Sequence, residues 1–256
     1  RPGTLSPAQR AFHTDGDVDQ CVNVLVDVIE DWRQRVAQRG GAREAGPLYV
    51  VSYDNVQQFS VRASLERFNF PEIVIQYVLS GLTDATTRVR TFDGLTDRFT
   101  IKSSVRQGDP LAPLIYALIT DALHEGLRDN PLFPTTAKQG GYTFAKLGVD
   151  GQPVRVCSAG YADDSLLFAN SPQRIAEMHA FVRVFFGAHG WALNAKKTKY
   201  LCSSQNDKTP QLVSVCGAEI IAPLARTETI RYLGIRVNLD LDWTDETVGQ
   251  RPQIRY

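Results

Sequence analysis

No apolar run in these 256 residues approaches the roughly 20 that a membrane-spanning helix needs, so no span and no membrane partner are expected. An excess of charge of one sign is also missing. Lys and Arg number 28 against 28 Asp and Glu, a formal net charge of +0. That balance excludes a wholly basic nucleic-acid coat but leaves room for a local basic groove. Cysteine is scarce: Cys21, Cys157, Cys202 and Cys216 lie far apart and form no C-x-x-C pair. Zinc and a disulfide scaffold are therefore not expected, and free buried thiols in a reducing compartment are. Repeats and low-complexity tracts are absent too. With 43% hydrophobic and 22% charged residues the composition is globular, which excludes disorder and a collagen-like rod. Arg1-Pro2-Gly3 does not read as a signal peptide, and the lack of an initiator Met leads to the expectation of a piece of a longer chain.

What is present is strong periodicity. Val18, Val22, Leu25, Ile29, Trp32 and Val36 recur at spacings of 4, 3, 4, 3, 4, one face of an amphipathic helix opened by Asp15 or Asp17 and closed by Gly40-Gly41. Leu48 to Tyr53 reads as a buried strand with Asp54 at its exit. Helices are predicted over Val61 to Phe68 and Pro71 to Leu82, the second with Pro in its first turn. Arg88 to Phe92 and Arg98 to Val105 flank Asp93-Gly94, which predicts a hairpin whose loop exceeds two residues. Leu111 to Arg128 is a helix with Leu111, Leu114, Ile115, Leu118, Ala122 and Leu123 on its apolar side. Val154 to Gly160 and Ser165 to Ala169 are strands joined through Tyr161-Ala162-Asp163-Asp164. Ser171 caps and Pro172 opens a helix carrying Ile175, Met178, Val182, Phe185 and Phe186 inward. Lys199 to Ser203 and Ile230 to Val237 are the last strands. This order predicts an α+β fold, an antiparallel sheet with helices packed on one face.

Three carboxylates stand where such a sheet could gather them: Asp54 at a strand end, and Asp163 and Asp164 in a turn. Adjacent acids repel, and stability alone gives little reason to keep both. A hard divalent cation removes the conflict, and two such ions about 3.5–4 Å apart activate one oxygen and stabilise another. The plainer reading is turn chemistry, since Asp favours turns in any case. A second signal is Arg106-Gln107-Gly108-Asp109-Pro110, just before an apolar helix. Gly108 lets backbone approach a ligand and the Gln107 amide can donate and accept against a nucleotide, or the segment is only a loop-to-helix junction.

Taken in order, five segments resemble reverse transcriptase motifs A to E. They are Asp54 to Phe59 (D-N-V-Q-Q-F), Arg106 to Leu114 (R-Q-G-D-P-L-A-P-L), Tyr161 to Asp164 (Y-A-D-D), Gly190 to Lys199 (G-W-A-L-N-A-K-K-T-K) and Tyr232-Leu233-Gly234 (Y-L-G). Leu5 to Phe12 is similar to the stretch preceding motif A in non-LTR retrotransposon enzymes. The resemblance covers about residue 5 to residue 243 and implies an RNA-directed DNA polymerase with a right-hand palm, partial fingers and little thumb. It implies two Mg²⁺ ions, with Mn²⁺ as an alternative, held by Asp54, Asp163 and Asp164. The implied reaction is attack of a primer 3′-hydroxyl on the α-phosphate of a dNTP. Lys197 matches the motif D lysine that neutralises or protonates the departing pyrophosphate; a solvated basic edge at Lys196 to Lys199 is the alternative. Gln57 and Gln58 match positions whose backbone N–H groups face the triphosphate. Phe59 matches the aromatic that closes off space beside the sugar 2′-carbon, or is an aromatic packed in the core.

By the same resemblance, residues 1–46 are partial fingers with a long helix, 47–61 are palm, and 62–105 are fingers-side helices and hairpin. Residues 106–237 are palm again, and 238–256 begin a thumb or tail. Implied partners are an RNA template, a DNA or RNA primer and dNTPs, with missing fingers and thumb supplied by the rest of a parent polypeptide. Intracellular, nuclear action is implied by the resemblance alone. The chain departs from the non-LTR pattern at the end of motif A, where Gln58-Phe59-Ser60 stands in place of Ala-Phe-Asp. Two other functions stay open. An RNA-dependent RNA polymerase shares the paired acids but favours a polar group at Phe59 and Gly-Asp-Asp in the turn. A reverse-transcriptase-like scaffold would bind RNA without polymerising.

Overall fold

The computed structural model describes residues 18–39, 46–54, 61–84, 86–92, 94–100, 111–129, 141–148, 151–161, 164–189, 197–203, 209–213 and 219–241. Its centre is a four-stranded antiparallel sheet built from β1 (Tyr49–Asp54), β8 (Ser158–Tyr161), β9 (Asp164–Ala169) and β10 (Lys199–Cys202), in the order β10-β1-β9-β8. β1 is apolar nearly throughout, as a strand buried on both faces must be. Strand alternation then divides its side chains. Tyr49, Val51 and Tyr53 join Leu167, Ala169, Tyr200 and Cys202 in one core, whereas Leu48 and Val50 join Leu166, Phe168 and Leu201 in another.

The first core is closed by four helices: α2 (Val61–Arg67), α3 (Glu72–Leu82), α4 (Ala112–Asp129) and α5 (Pro172–Ala188). This is the α+β architecture expected, except that helices pack on both faces of the sheet, because β1, β9 and β10 are apolar on both sides. α5 begins as read, with the Ser171 hydroxyl accepting from Arg174 N at 3.1 Å and Pro172 in the first turn. α2 is tied to α4 by Arg67, which donates to the buried Asp121 carboxylate at 2.8 Å. On the opposite face lies α1 (Val18–Gln38), burying Val22, Leu25, Ile29 and Trp32 with Val50, Leu166 and Phe168. Among the described residues no helix is long and apolar enough to cross a membrane.

Three local expectations are corrected. The run Val154 to Gly160 is two strands with different partners: β7 (Pro153–Val156) pairs with β6 (Tyr142–Leu147), and β8 pairs with β9. β6 had no sequence reading at all; Asp31 of α1 holds it, accepting from the Tyr142 hydroxyl at 2.6 Å and from Ala145 N at 3.0 Å. Ile230 to Val237 is a hairpin, β13 (Ile230–Tyr232) against β14 (Ile235–Val237), because Leu233 and Gly234 both take positive φ, 48° and 89°. The hairpin at residue 93 closes on two residues. Thr91 of β3 (Arg90–Thr91) pairs with Gly94 of β4 (Gly94–Leu95), inside an outer pair of β2 (Thr86–Thr87) and β5 (Phe99–Thr100). A short two-stranded pair, β11 (Leu212–Val213) and β12 (Ile220–Ile221), completes the described elements.

His124 of α4 is wholly buried, and burial pushes its pKa down to about 4. Between that value and about 6.5 the unfolded chain binds a proton that the folded chain refuses. The contribution is therefore complete above about pH 6.5 and is lost as pH falls towards 4, amounting to about 3 kcal/mol at the acid end. Thermal midpoints from pH 7 to pH 4 should fall less steeply for His124→Asn than for the unaltered chain. Parallel slopes would show that the imidazole titrates normally.

Candidate active site

The sheet register brings together two of the three acids that the sequence singled out. Asp54, the last residue of β1, stands directly opposite Asp164, the first residue of β9. Asp164 is in turn opposite Tyr161, the last residue of β8. Directly opposed residues of an antiparallel pair share a face, so positions 54, 164 and 161 form one row on the α1 side of the sheet. Asp163 lies between Tyr161 and Asp164 in sequence but outside the described residues, as do Gln57, Gln58, Phe59, Gln107 and Gly108.

An open cleft of about 640 Å³ lies beside Asp164. Asp164 and Ser52 line it, together with Lys197, Lys199, Arg231 and Arg236. Lys197, expected from sequence, is exposed at this cleft. Lys199 is cross-strand partner to Ser52. Arg231 and Arg236 are site residues that the sequence reading missed. They stand directly opposite one another on β13 and β14, both exposed, while Ile230, Tyr232, Ile235 and Val237 bury the other side of the hairpin. The signal was legible as R-Y-L-G-I-R, two Arg in alternation with buried residues around a Leu-Gly turn. Like charges directly opposed in a sheet are destabilising, so such a pair suits an anionic ligand better than it suits the fold.

The same argument applies with opposite sign to Asp54 and Asp164. Asp at two directly opposed strand positions is a choice that the fold alone does not favour, and Asp is the residue type that supplies the hard oxygen donors a divalent cation takes. The donor chemistry therefore fits a metal such as Mg²⁺. Among the described residues, no group of three or more His, Cys, Asp or Glu side chains is assembled, and Asp163 is not among them.

Two buried phenols lie near the acid row, Tyr232 close to Asp164 and Tyr53 on the opposite face of the sheet. Burial, reinforced by the nearby Cys21 thiol and Asp164 carboxylate, holds the Tyr232 hydroxyl well above its usual pKa. Burial does the same to Tyr53, whose hydroxyl meets His179 Nδ1 at 2.6 Å. Both phenols thus stay protonated at any working pH and bring no competing negative charge.

Comparison with known proteins agrees with this geometry. The family model described as "Reverse transcriptase (RNA-dependent DNA polymerase)" matches residues 51–237. The Pol polyprotein of a type-1 retrotransposable element R2 from Popillia japonica is 28% identical over 238 residues, which are 90% of this chain and 31% of that protein. That of the type-2 element R2DM from Drosophila melanogaster is 24% identical over 241 residues, 90% of this chain and 20% of that protein. The chain thus spans about a third or less of the curated relatives' length. In fold it is similar to telomerase from Candida tropicalis, solved with a fragment of telomeric RNA, at a TM-score of 0.52 and 14% identity over 91% of this chain and 35% of that one. A family match over most of the chain, with the acid-bearing strand ends inside it, means that this chain belongs to the reverse transcriptase (RNA-dependent DNA polymerase) family.

Proposed function

We propose that this chain carries the catalytic palm of an RNA-directed DNA polymerase, at residues 47–61 and 106–237, and extends a primer 3′-hydroxyl with dNTPs on an RNA template. The observation that carries the reading is the register that sets Asp54 opposite Asp164, with Asp164 lining a cleft that also holds Lys197, Lys199, Arg231 and Arg236. The family generally uses divalent metal ions. Two Mg²⁺ ions, or Mn²⁺, held by Asp54, Asp163 and Asp164 would stabilise the charge that develops on the attacking and leaving oxygens.

The chain's own residues do the rest by position and charge. Lys197, at the cleft beside Asp164, neutralises the departing pyrophosphate. Arg231 and Arg236 face the phosphates of the primer strand, where a paired guanidinium can bind an oxygen bidentately. Gln57 and Gln58 present backbone N–H groups to the triphosphate, and Phe59 closes the space beside the sugar. Gln107 and Gly108 belong to the nucleotide-binding set, the first through its amide and the second by letting backbone approach the ligand. Helices and hairpin at 62–105, with residues 1–46, are the fingers side, and 238–256 lead towards a thumb. The relatives' greater length supports a longer parent polypeptide that completes the grip on the duplex.

The test is primer extension on an RNA template with dNTPs and Mg²⁺, run with the 256 residues and with a chain extended at both ends. Template-directed DNA synthesis by the extended chain, and weak synthesis by the short one, is the expected result. RNA binding without incorporation by either would instead establish a scaffold. In binding assays Arg231→Ala/Arg236→Ala should lower the slope of log affinity against log salt by about 2. An unchanged slope would remove both guanidinium groups from the primer path.

A further inference from the structure

The helix-facing side of the sheet, directly behind the acid row, contains a contact that neither the polymerase reading nor the motifs use. One residue inward from Asp54, Asp164 and Tyr161, the register sets Tyr53, Ser165 and Gly160 in a second row. β8, which carries Gly160, is an edge strand of this sheet among the described residues. It has a hydrogen-bonded neighbour on one side only, so its position depends on what packs against its two faces.

Both faces are gripped at Gly160. From the α1 side, Cys21 Sγ donates to the Gly160 carbonyl oxygen at 3.6 Å. From the α4 side, the His124 imidazole lies flush on the Gly160 Cα. A Cβ built there would collide with Nε2 and come within 2.8 Å of Cε1 and 3.1 Å of Cδ2. The ring is held in that orientation by its other nitrogen, Nδ1, which meets the Ser158 hydroxyl two residues back on the same strand at 2.9 Å. Nε2 has no hydrogen-bond partner among the described residues, although His124 is wholly buried. An aliphatic side chain would fill this space without leaving a buried polar atom unsatisfied. What the imidazole adds is a fixed ring plane, locked to the strand that it braces.

We propose that His124 is a positioning residue for the nucleotidyl-transfer site, setting the height of Gly160 and through it the placement of Tyr161 and Asp164. This rests on the polymerase reading of the acid row. The ring supports β8 from behind, so a displacement of Gly160 passes along one residue of strand to Tyr161 and across the pair to Asp164. Carboxylates sharing a cation tolerate little error, and supporting contacts of this kind are worth about 10–100-fold in metal affinity or activity.

The experiment follows Mn²⁺ binding by electron paramagnetic resonance in the full 256-residue chain, with thermal midpoints alongside, so that it needs no polymerisation. Gly160→Ala should weaken Mn²⁺ binding by about 10–100-fold. Adding His124→Ala makes room for the methyl group. It should return the affinity to near that of the unaltered chain even though the doubly substituted protein melts at a lower temperature. A purely structural contact predicts the reverse, with affinity following the melting temperature. Ser158→Ala adds no bulk and merely frees the ring; it should weaken binding several-fold in a chain that folds. Tight binding in both Gly160→Ala and Ser158→Ala, or no recovery in the folded double variant, would overturn the proposal. If the unaltered chain binds no Mn²⁺, the carboxylate site itself is wrong, and that failure shows before any variant is made.

Discussion

Asp163→Asn should reduce primer extension by at least about 1,000-fold while leaving the fold intact. Loss of a metal-holding charge removes several kcal/mol of stabilisation from developing negative charge, and about 4 kcal/mol is a factor of 10³ in rate. The substitution is isosteric, keeps hydrogen-bonding capacity and removes only charge, so it separates chemistry from packing. Its effect on stability should run the other way. Two carboxylates about 5 Å apart repel by roughly 3 kcal/mol at an effective dielectric constant of 20. Asp54 and Asp164 are already opposed by register, and Asp163 adjoins Asp164 in sequence. Without divalent metal, Asp163→Asn should therefore melt a few degrees higher, since 1 kcal/mol moves the midpoint by about 2–4 °C at this size. With metal, the unaltered chain should gain stability and the variant should gain less. Calorimetry with and without Mg²⁺, beside single-nucleotide incorporation rates, checks both halves. A variant that keeps more than a tenth of the rate, or loses rate only as it loses stability, would falsify the assignment of Asp163.

The elements that the sequence showed plainly are those whose signals are local. α1 was legible because six apolar residues at helical spacing can only bury together on a helix, and Ser171-Pro172 because capping chemistry lies within four residues. β1 was legible as a short apolar run, but its partners were not. Asp54 meets Asp164 across 110 positions of chain, a register set by two cores and three strand pairings together. Their positions at a strand end and in a turn allowed a sheet to gather these acids, and the resemblance pointed to the same site, but neither gave the register. Tyr142 to Leu147 went unread because Y-T-F-A-K-L alternates weakly and its support, Asp31, comes from the distant α1. The break between β7 and β8 at Cys157 changes pairing partner without any change in local propensity. At Tyr232-Leu233-Gly234 the sequence carries a motif but no clear turn signal, since a left-handed Leu is uncommon and the flanking residues have strand propensity on both sides. Arg231 and Arg236 reach the cleft together only because the chain reverses there. The His124 contact could not be seen at all, because nothing in a sequence joins a helical His to a Gly 36 residues later.

Phe59→Val should admit ribonucleotides. Phe59 is five residues beyond Asp54 and two before Val61, where the buried start of α2 anchors the chain again. A phenyl ring beside the sugar 2′-carbon leaves no room for a hydroxyl, whereas the shorter Val does. Discrimination by a steric wall of this size is worth about 1–3 kcal/mol, so the dNTP/rNTP ratio of kcat/KM should fall by about 10–200-fold. Most of the change should come from faster use of rNTPs, with dNTP incorporation little altered, because the wall makes no attractive contact that a dNTP needs. The competing role is a core aromatic packed behind β1, and it predicts something different. Trimming a buried Phe to Val would lower stability by about 1–3 kcal/mol through lost burial and the cavity left behind. The nucleotide ratio would then stay as it was. Measuring kcat/KM for dATP and ATP on one primer-template, together with the thermal midpoint, distinguishes the two roles: a changed ratio in an equally stable chain places the ring beside the sugar, and an unchanged ratio in a weakened chain places it in the core.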